Sequence, residues 1–188
     1  MVYRYMFKGY PKDDAIKVKD GDVANNISVF RYGEAVIVYA ESYRDDLNGE
    51  DIIAGDFKEY PDGSLWENLA DIFHYSVPQS DEDWVRKIPK EPLLRVNKLR
   101  HEKVSSYVFY HYQYQEEKPC DGDKYGIVFI SGDMIFMYLE APEEYAEKYP
   151  GTLNTTASPV KDDWAKLMNQ HFDMSFSNGK WLEVERIL

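Results

Sequence analysis

The chain has 188 residues, with 22 Lys and Arg against 34 Asp and Glu and a formal charge of −12, a length that suits one large domain or two small ones. Apolar residues make up 44% and aromatic residues 15%, enough for a packed core and too much for a disordered chain. The acidity argues against a phosphate-backbone partner, because the densest positive stretch, residues 95–103, is interrupted by Leu99 and Glu102. No window approaches the roughly 18 uninterrupted apolar residues of a membrane span, and the first residues show no signal-peptide pattern. Cys120 stands alone, so no disulfide framework or multi-cysteine metal site is expected, and a single cysteine is more often inert than reactive. These features together predict a cytoplasmic protein with no nucleic-acid and no membrane partner.

In chain order, residues 2–10 read as a first strand rich in aromatic and β-branched residues. The turn Asp20-Gly21-Asp22 follows. A hairpin then runs through residues 27–30 and 35–41, with Gly33 where a tight turn wants positive φ. Asp62-Gly63-Ser64 offers a helix N-cap, with Leu65, Trp66, Leu69, Ile72 and Phe73 on one face at helical spacing. Residues 93–99 read as a closing strand and 100–106 as a polar linker. The same order follows again: a strand over 107–115, the turn Asp121-Gly122-Asp123, and a hairpin through 126–130 and 134–140 around Gly132. Ser158-Pro159 then opens a helix with Val160, Trp164, Leu167, Met168 and His171 on one face, and residues 181–188 close the copy.

This parallel is a repeat. VFRYGEAVIVYAE from Val29 to Glu41 is answered 99 positions later by VFISGDMIFMYLE from Val128 to Glu140. The two Asp-Gly-Asp turns are offset by 101, Trp66 and Trp164 by 98, and the closing strands by 88. The sequence therefore predicts two copies, residues 1–99 and 107–188, each of order β, β, β, α, β. That order makes an α+β fold in which antiparallel sheets carry a helix on one face. The run Val36 to Ala40 is apolar on both faces of its strand, so its second face should meet another sheet.

Asn26-Ile27-Ser28-Val29-Phe30, Tyr39-Ala40-Glu41 and Trp66-Glu67-Asn68-Leu69-Ala70-Asp71-Ile72 form a pattern partly repeated by Val128-Phe129, Tyr138-Leu139-Glu140, Trp164 and Leu167-Met168. It resembles the L-rhamnose mutarotases of the dimeric α/β-barrel superfamily. The resemblance implies two tandem ferredoxin-like repeats whose sheets pack into a pseudo-dimeric barrel. It also implies a protein that acts on or binds a monosaccharide and interconverts its anomers by general acid and base groups. Family members carry, after the first strand, a helix with a Tyr and a His held three apart. Residues 11–23 and 116–124 are too short, charged and turn-rich for such a helix, so the sequence predicts that this chain lacks it.

Opening a cyclic hemiacetal needs one group to protonate the ring oxygen and another to take the anomeric proton. The candidate catalytic residues are His111, set among strand aromatics, and Glu41 and Glu140, which end equivalent strands where burial would raise a carboxyl pKa. Tyr39, Tyr138, Trp66, Trp164 and His171 are the candidate substrate-binding residues. His74 and His101 are the remaining histidines. Two other readings stay open: a non-catalytic barrel that binds a small ligand or a partner, and a haem-binding or haem-degrading monooxygenase-like protein with His171 on the iron. Neither a cofactor nor a metal is predicted. The expected state is a monomer with an internal pseudo-dimer, with a homodimer as the alternative.

Overall fold

A computed structural model describes residues 1–117, 120, 122–147 and 163–188. The chain is a mixed α/β protein of antiparallel strands and few helices. Its elements are β1 (Tyr3–Gly9), β2 (Lys17–Val18), β3 (Asn26–Tyr32), β4 (Ala35–Ser42), α1 (Gly49–Ile52), β5 (Ile53–Ala54), β6 (Trp66–Asn68), β7 (Ala70–His74) and α2 (Asp81–Trp84). They continue with β8 (Glu91–Lys98), a 3-10 turn (His101–Lys103), α3 (Val104–Glu117), β9 (Ile127–Ser131), β10 (Met134–Ala141), α4 (Trp164–Asn169), α5 (Met174–Ser177) and β11 (Leu182–Arg186). Two compact units result. The first comprises Met1–Ala70, Pro78–Lys87 and Val184–Leu188, and the second Asp71–Val77 and Ile88–Glu183.

In the first unit the strand order is β6-β1-β4-β3-β11. The hairpin β3–β4 pairs Val29 with Val38 and Phe30 with Ile37, while β4 pairs on its other edge with β1, Arg4 facing Glu41. All eight residues of β4 are buried, so both faces of this strand are covered, as its unbroken apolar run requires. Phe7, Val36, Val38, Ile52, Phe57 and Trp66 share one core.

In the second unit the order is β8-β10-β9-β7. Here β9–β10 pairs Val128 with Met137 and Phe129 with Phe136, the register of the first hairpin moved by 99 residues. Gly33 and Gly132 take φ of 58° and 60° in the two turns, the left-handed region that glycine enters without Cβ strain. The hairpins and their turn glycines are therefore as expected in both copies, with strand ends one or two residues from the expected ones.

The rest of the copy scheme is corrected. Residues 91–98 do not close the first unit: β8 pairs with β10, Pro92 facing Glu140, and so holds the place in the second unit that β1 holds beside β4. The first unit instead gains β11, where Arg186 faces Phe30. Residues 100–106 are no linker, since the Arg100 N–H donates to the His171 carbonyl at 2.8 Å and helix α3 starts at Val104.

The expected helix at 65–73 is two short strands. Trp66 and Asn68 pair with Gly9 and Phe7, and the Leu69 N–H reaches the Met6 carbonyl at 2.9 Å. The expected strand at 107–115 is the main part of α3. In both places long-range partners override local spacing and β-propensity. The helix expected from Ser158 is described only as Trp164–Asn169; Ser158, Pro159 and Val160 lie outside the described residues, as does Asp121. Among the described residues, the elements from β8 onward run β-α-β-β-α-β, counting α4 and α5 together.

Candidate functional site

Helix α3 builds one wall of a cavity in the second unit. Tyr107, His111 and Tyr114 recur at spacings of four and three, so they share one face of the helix. Tyr107 and His111 are buried, whereas Phe109 and Tyr112 stand exposed on other faces. The inward face lines a cavity of about 440 Å³, closed by Phe73 and Tyr75, by Trp164 of α4, and by Lys180 and Trp181 ahead of β11. This volume lies within the range of small-molecule sites.

His111 is 5% exposed. Its ring centre sits 4.0 Å from that of Tyr107, 4.9 Å from Trp164 and 5.0 Å from Phe73, the last two in edge-to-face geometry. Its Nδ1 lies 2.9 Å from the Tyr107 carbonyl oxygen. A carbonyl can only accept, so Nδ1 carries the proton and Nε2 keeps its lone pair. Burial pushes the imidazole pKa down to about 4, opposed by the Tyr107 bond and aided by His171; at neutral pH the ring is uncharged. Burial also raises the Tyr107 phenol, with a smaller contribution from Tyr75, which keeps its hydroxyl protonated. The site thus joins a neutral proton acceptor to aromatic faces and phenol donors.

His171 is placed differently from its expected role. Its Nδ1 faces the Leu167 carbonyl at 2.9 Å and its Nε2 the Ser106 hydroxyl at 2.9 Å, so both ring nitrogens are engaged, Nδ1 with α4 and Nε2 with α3. An iron ligand needs a nitrogen lone pair free of such bonds. Among the described residues no group of three His, Cys, Asp or Glu side chains is arranged to hold a metal ion.

Glu41 and Tyr39 belong to the first unit and do not line this cavity. The Tyr39 hydroxyl donates to Glu41 Oε1 at 2.7 Å, and Arg86 Nη1 and Nη2 each reach a Glu41 oxygen at 2.6 Å. Arg4 Nε donates to the Tyr39 hydroxyl at 2.8 Å and stacks its guanidinium over Trp84. Burial pushes the Glu41 carboxyl up, but the bonds and charge of Arg86, with Arg4 and Tyr39, more than reverse this and hold it below the usual glutamate value. The expected raised acid is therefore an ion-paired carboxylate. A cleft of about 190 Å³ lies beside it, lined by Asn25, Trp84 and Arg86 among others.

Glu140 and Tyr138 repeat the strand geometry in the second unit, with a Tyr138–Glu140 bond of 2.9 Å. They are buried beside Asp123, whose carboxylate accepts the N–H groups of Glu140 and Glu144 at 3.3 and 3.2 Å. Neither lines the aromatic cavity. Trp66 packs in the first core with its ring centre 4.4 Å from that of Phe57, so it is a core residue; Trp164 is in the cavity wall. Cys120 is buried, with φ of 62°. Of the eight sequence candidates, only His111 and Trp164 meet in the cavity.

The residues that sequence reasoning missed are Tyr107, Tyr114, Phe73, Tyr75, Lys180 and Trp181. The first two had a signal, the 4-and-3 spacing around His111. Phe73 and Tyr75 follow only from the edge pairing of β7, and Lys180 and Trp181 only from the path into β11.

Compared with known proteins, the chain gives no match: no family model, no curated protein and no solved structure matches it.

Proposed function

We propose that the protein binds a monosaccharide in the α3 cavity and interconverts its anomers, with His111 as the general base. The observation that carries this reading is the Nε2 lone pair of a neutral, oriented imidazole in an aromatic-walled cavity. Sugar rings present C–H faces that pack on aromatic rings and hydroxyls that bond to phenol, amide and imidazole groups.

In this mechanism His111 Nε2 takes the anomeric hydroxyl proton while a cavity tyrosine, Tyr107 or Tyr114, protonates the ring oxygen. The C–O ring bond breaks to the open aldehyde. Rotation about the exposed carbon–carbon bond and the reverse transfers close the other anomer. No oxidant or metal is needed, and the proton count is unchanged. Sequence reasoning expected no helix with a Tyr and a His; α3, directly after β8, carries Tyr107 and His111 four apart where the family holds its pair three apart, and it supports the resemblance to L-rhamnose mutarotases in that coarser sense. The equal registers of the two hairpins and the β-α-β-β-α-β order from β8 onward support the tandem ferredoxin-like architecture as part of the same proposal.

The test is NMR saturation transfer between α and β anomers of L-rhamnose and a small monosaccharide panel. Wild-type protein accelerates exchange of at least one sugar; His111→Gln removes the acceleration while retaining native circular dichroism; Tyr112→Ser, on the exposed face of the same helix, keeps it. Sugar binding without accelerated exchange would instead establish a non-catalytic binding module.

A further inference from the structure

The cavity has an electrostatic character that stands out in this chain. Among its described lining residues there is no Asp or Glu, although the chain carries 34. The one cation in the described lining is Lys180, an exposed residue preceding Trp181, and among the described residues its ammonium makes no ion pair with a carboxylate. His111 is neutral at pH 7 and adds no charge of either sign.

An aromatic interior of this kind disfavours a carboxylate at its centre, because ring faces carry the negative end of the quadrupole. It does not disfavour one at Lys180, which is exposed and has no carboxylate partner among the described residues. The Asn169 amide, also in the lining, adds a donor for an anionic oxygen. A sugar ring between the aromatic walls with an acidic substituent directed to Lys180 satisfies both constraints.

Resting on the monosaccharide reading above, we infer that the cavity selects an acidic monosaccharide, a uronate, whose carboxylate pairs with Lys180 while its ring packs on the aromatic walls. Lys180 is then a specificity residue. An exposed pair of this kind is worth up to roughly fivefold in affinity.

Isothermal titration at fixed ionic strength tests this with D-glucuronate against D-glucose and D-galacturonate against D-galactose, on wild type, Lys180→Gln and Lys180→Arg. The expected result is roughly fivefold tighter binding of at least one uronate than of its neutral partner, parity in Lys180→Gln and retained preference in Lys180→Arg. Equal or tighter binding of the neutral sugars, or a uronate preference untouched in Lys180→Gln, overturns the inference and leaves the monosaccharide reading standing. Binding of no sugar, acidic or neutral, overturns both. Binding of tetramethylammonium in preference to uronate overturns the inference in favour of a cation cage.

Discussion

The Nδ1 of His111 lies 2.9 Å from the carbonyl oxygen of Tyr107, one helical turn earlier, and that bond leaves Nε2 as the ring's proton acceptor. ¹⁵N NMR at pH 7 should show a single neutral tautomer with the proton on Nδ1. The His111 signal should move to the cationic form only near pH 4, well below an exposed histidine.

The same burial makes folding sensitive to acid. His111 titrates lower in the folded state than in the unfolded one, so as pH falls the unfolded chain takes up its proton first. The contribution to stability is fully present above pH 6.5 and is lost progressively down to about pH 4, at a cost of up to ~3 kcal/mol. Urea titrations of wild type and His111→Gln between pH 4 and pH 7.5 should show this extra slope in the wild type alone.

Glu41 obeys the same sign for a different reason. Its folded-state pKa is depressed, so the Arg86 pair stabilises the fold above the usual glutamate range and is lost as pH falls through the lowered value. Replacing Arg86 by Leu leaves a carboxylate that is 1% exposed without its bidentate partner, which should cost about 3–5 kcal/mol at pH 7. Denaturant midpoints at pH 7 and pH 4 would measure this, the difference shrinking at the lower pH.

Gly49 opens α1 against the face of Trp66, and a Cβ there would stand 2.4 Å from Trp66 Cδ2, in the ring rather than at a flexible tip. Gly49→Ala should destabilise the fold by roughly 1–3 kcal/mol, and Trp66 fluorescence should report the displaced ring. In the hairpin turns the limit is the backbone instead: Gly33 and Gly132 have open space around them but positive φ. Alanine at either should cost about 1 kcal/mol and asparagine less.

How legible this was in the sequence depended on how local the deciding contacts are. The hairpins around Gly33 and Gly132 were readable to within one or two residues at their ends, because turn glycines and flanking apolar runs fix register within about ten residues. Trp66 and Phe73 fit a helical stripe, yet they lie in the separate strands β6 and β7; β6 forms because β1 offers backbone partners some 60 residues away. Tyr107 to Tyr114 looked like a strand through its aromatic and β-branched content. It coils because burial falls on Tyr107 and His111, spaced four apart. Glu41 was found by its position at a strand end, but its chemistry depends on Arg86, 45 positions later in sequence, which no local pattern announces.

The central claim is that His111 acts as a base on a sugar in the α3 cavity, and anomer exchange by NMR saturation transfer tests it most directly. Wild-type protein should accelerate exchange of at least one neutral or acidic monosaccharide, His111→Gln should abolish the acceleration without unfolding, and the wild-type rate should fall as pH drops toward 4 and Nε2 takes a proton. Acceleration that survives intact in folded His111→Gln, or exchange no faster than in buffer for every sugar tested, would contradict it.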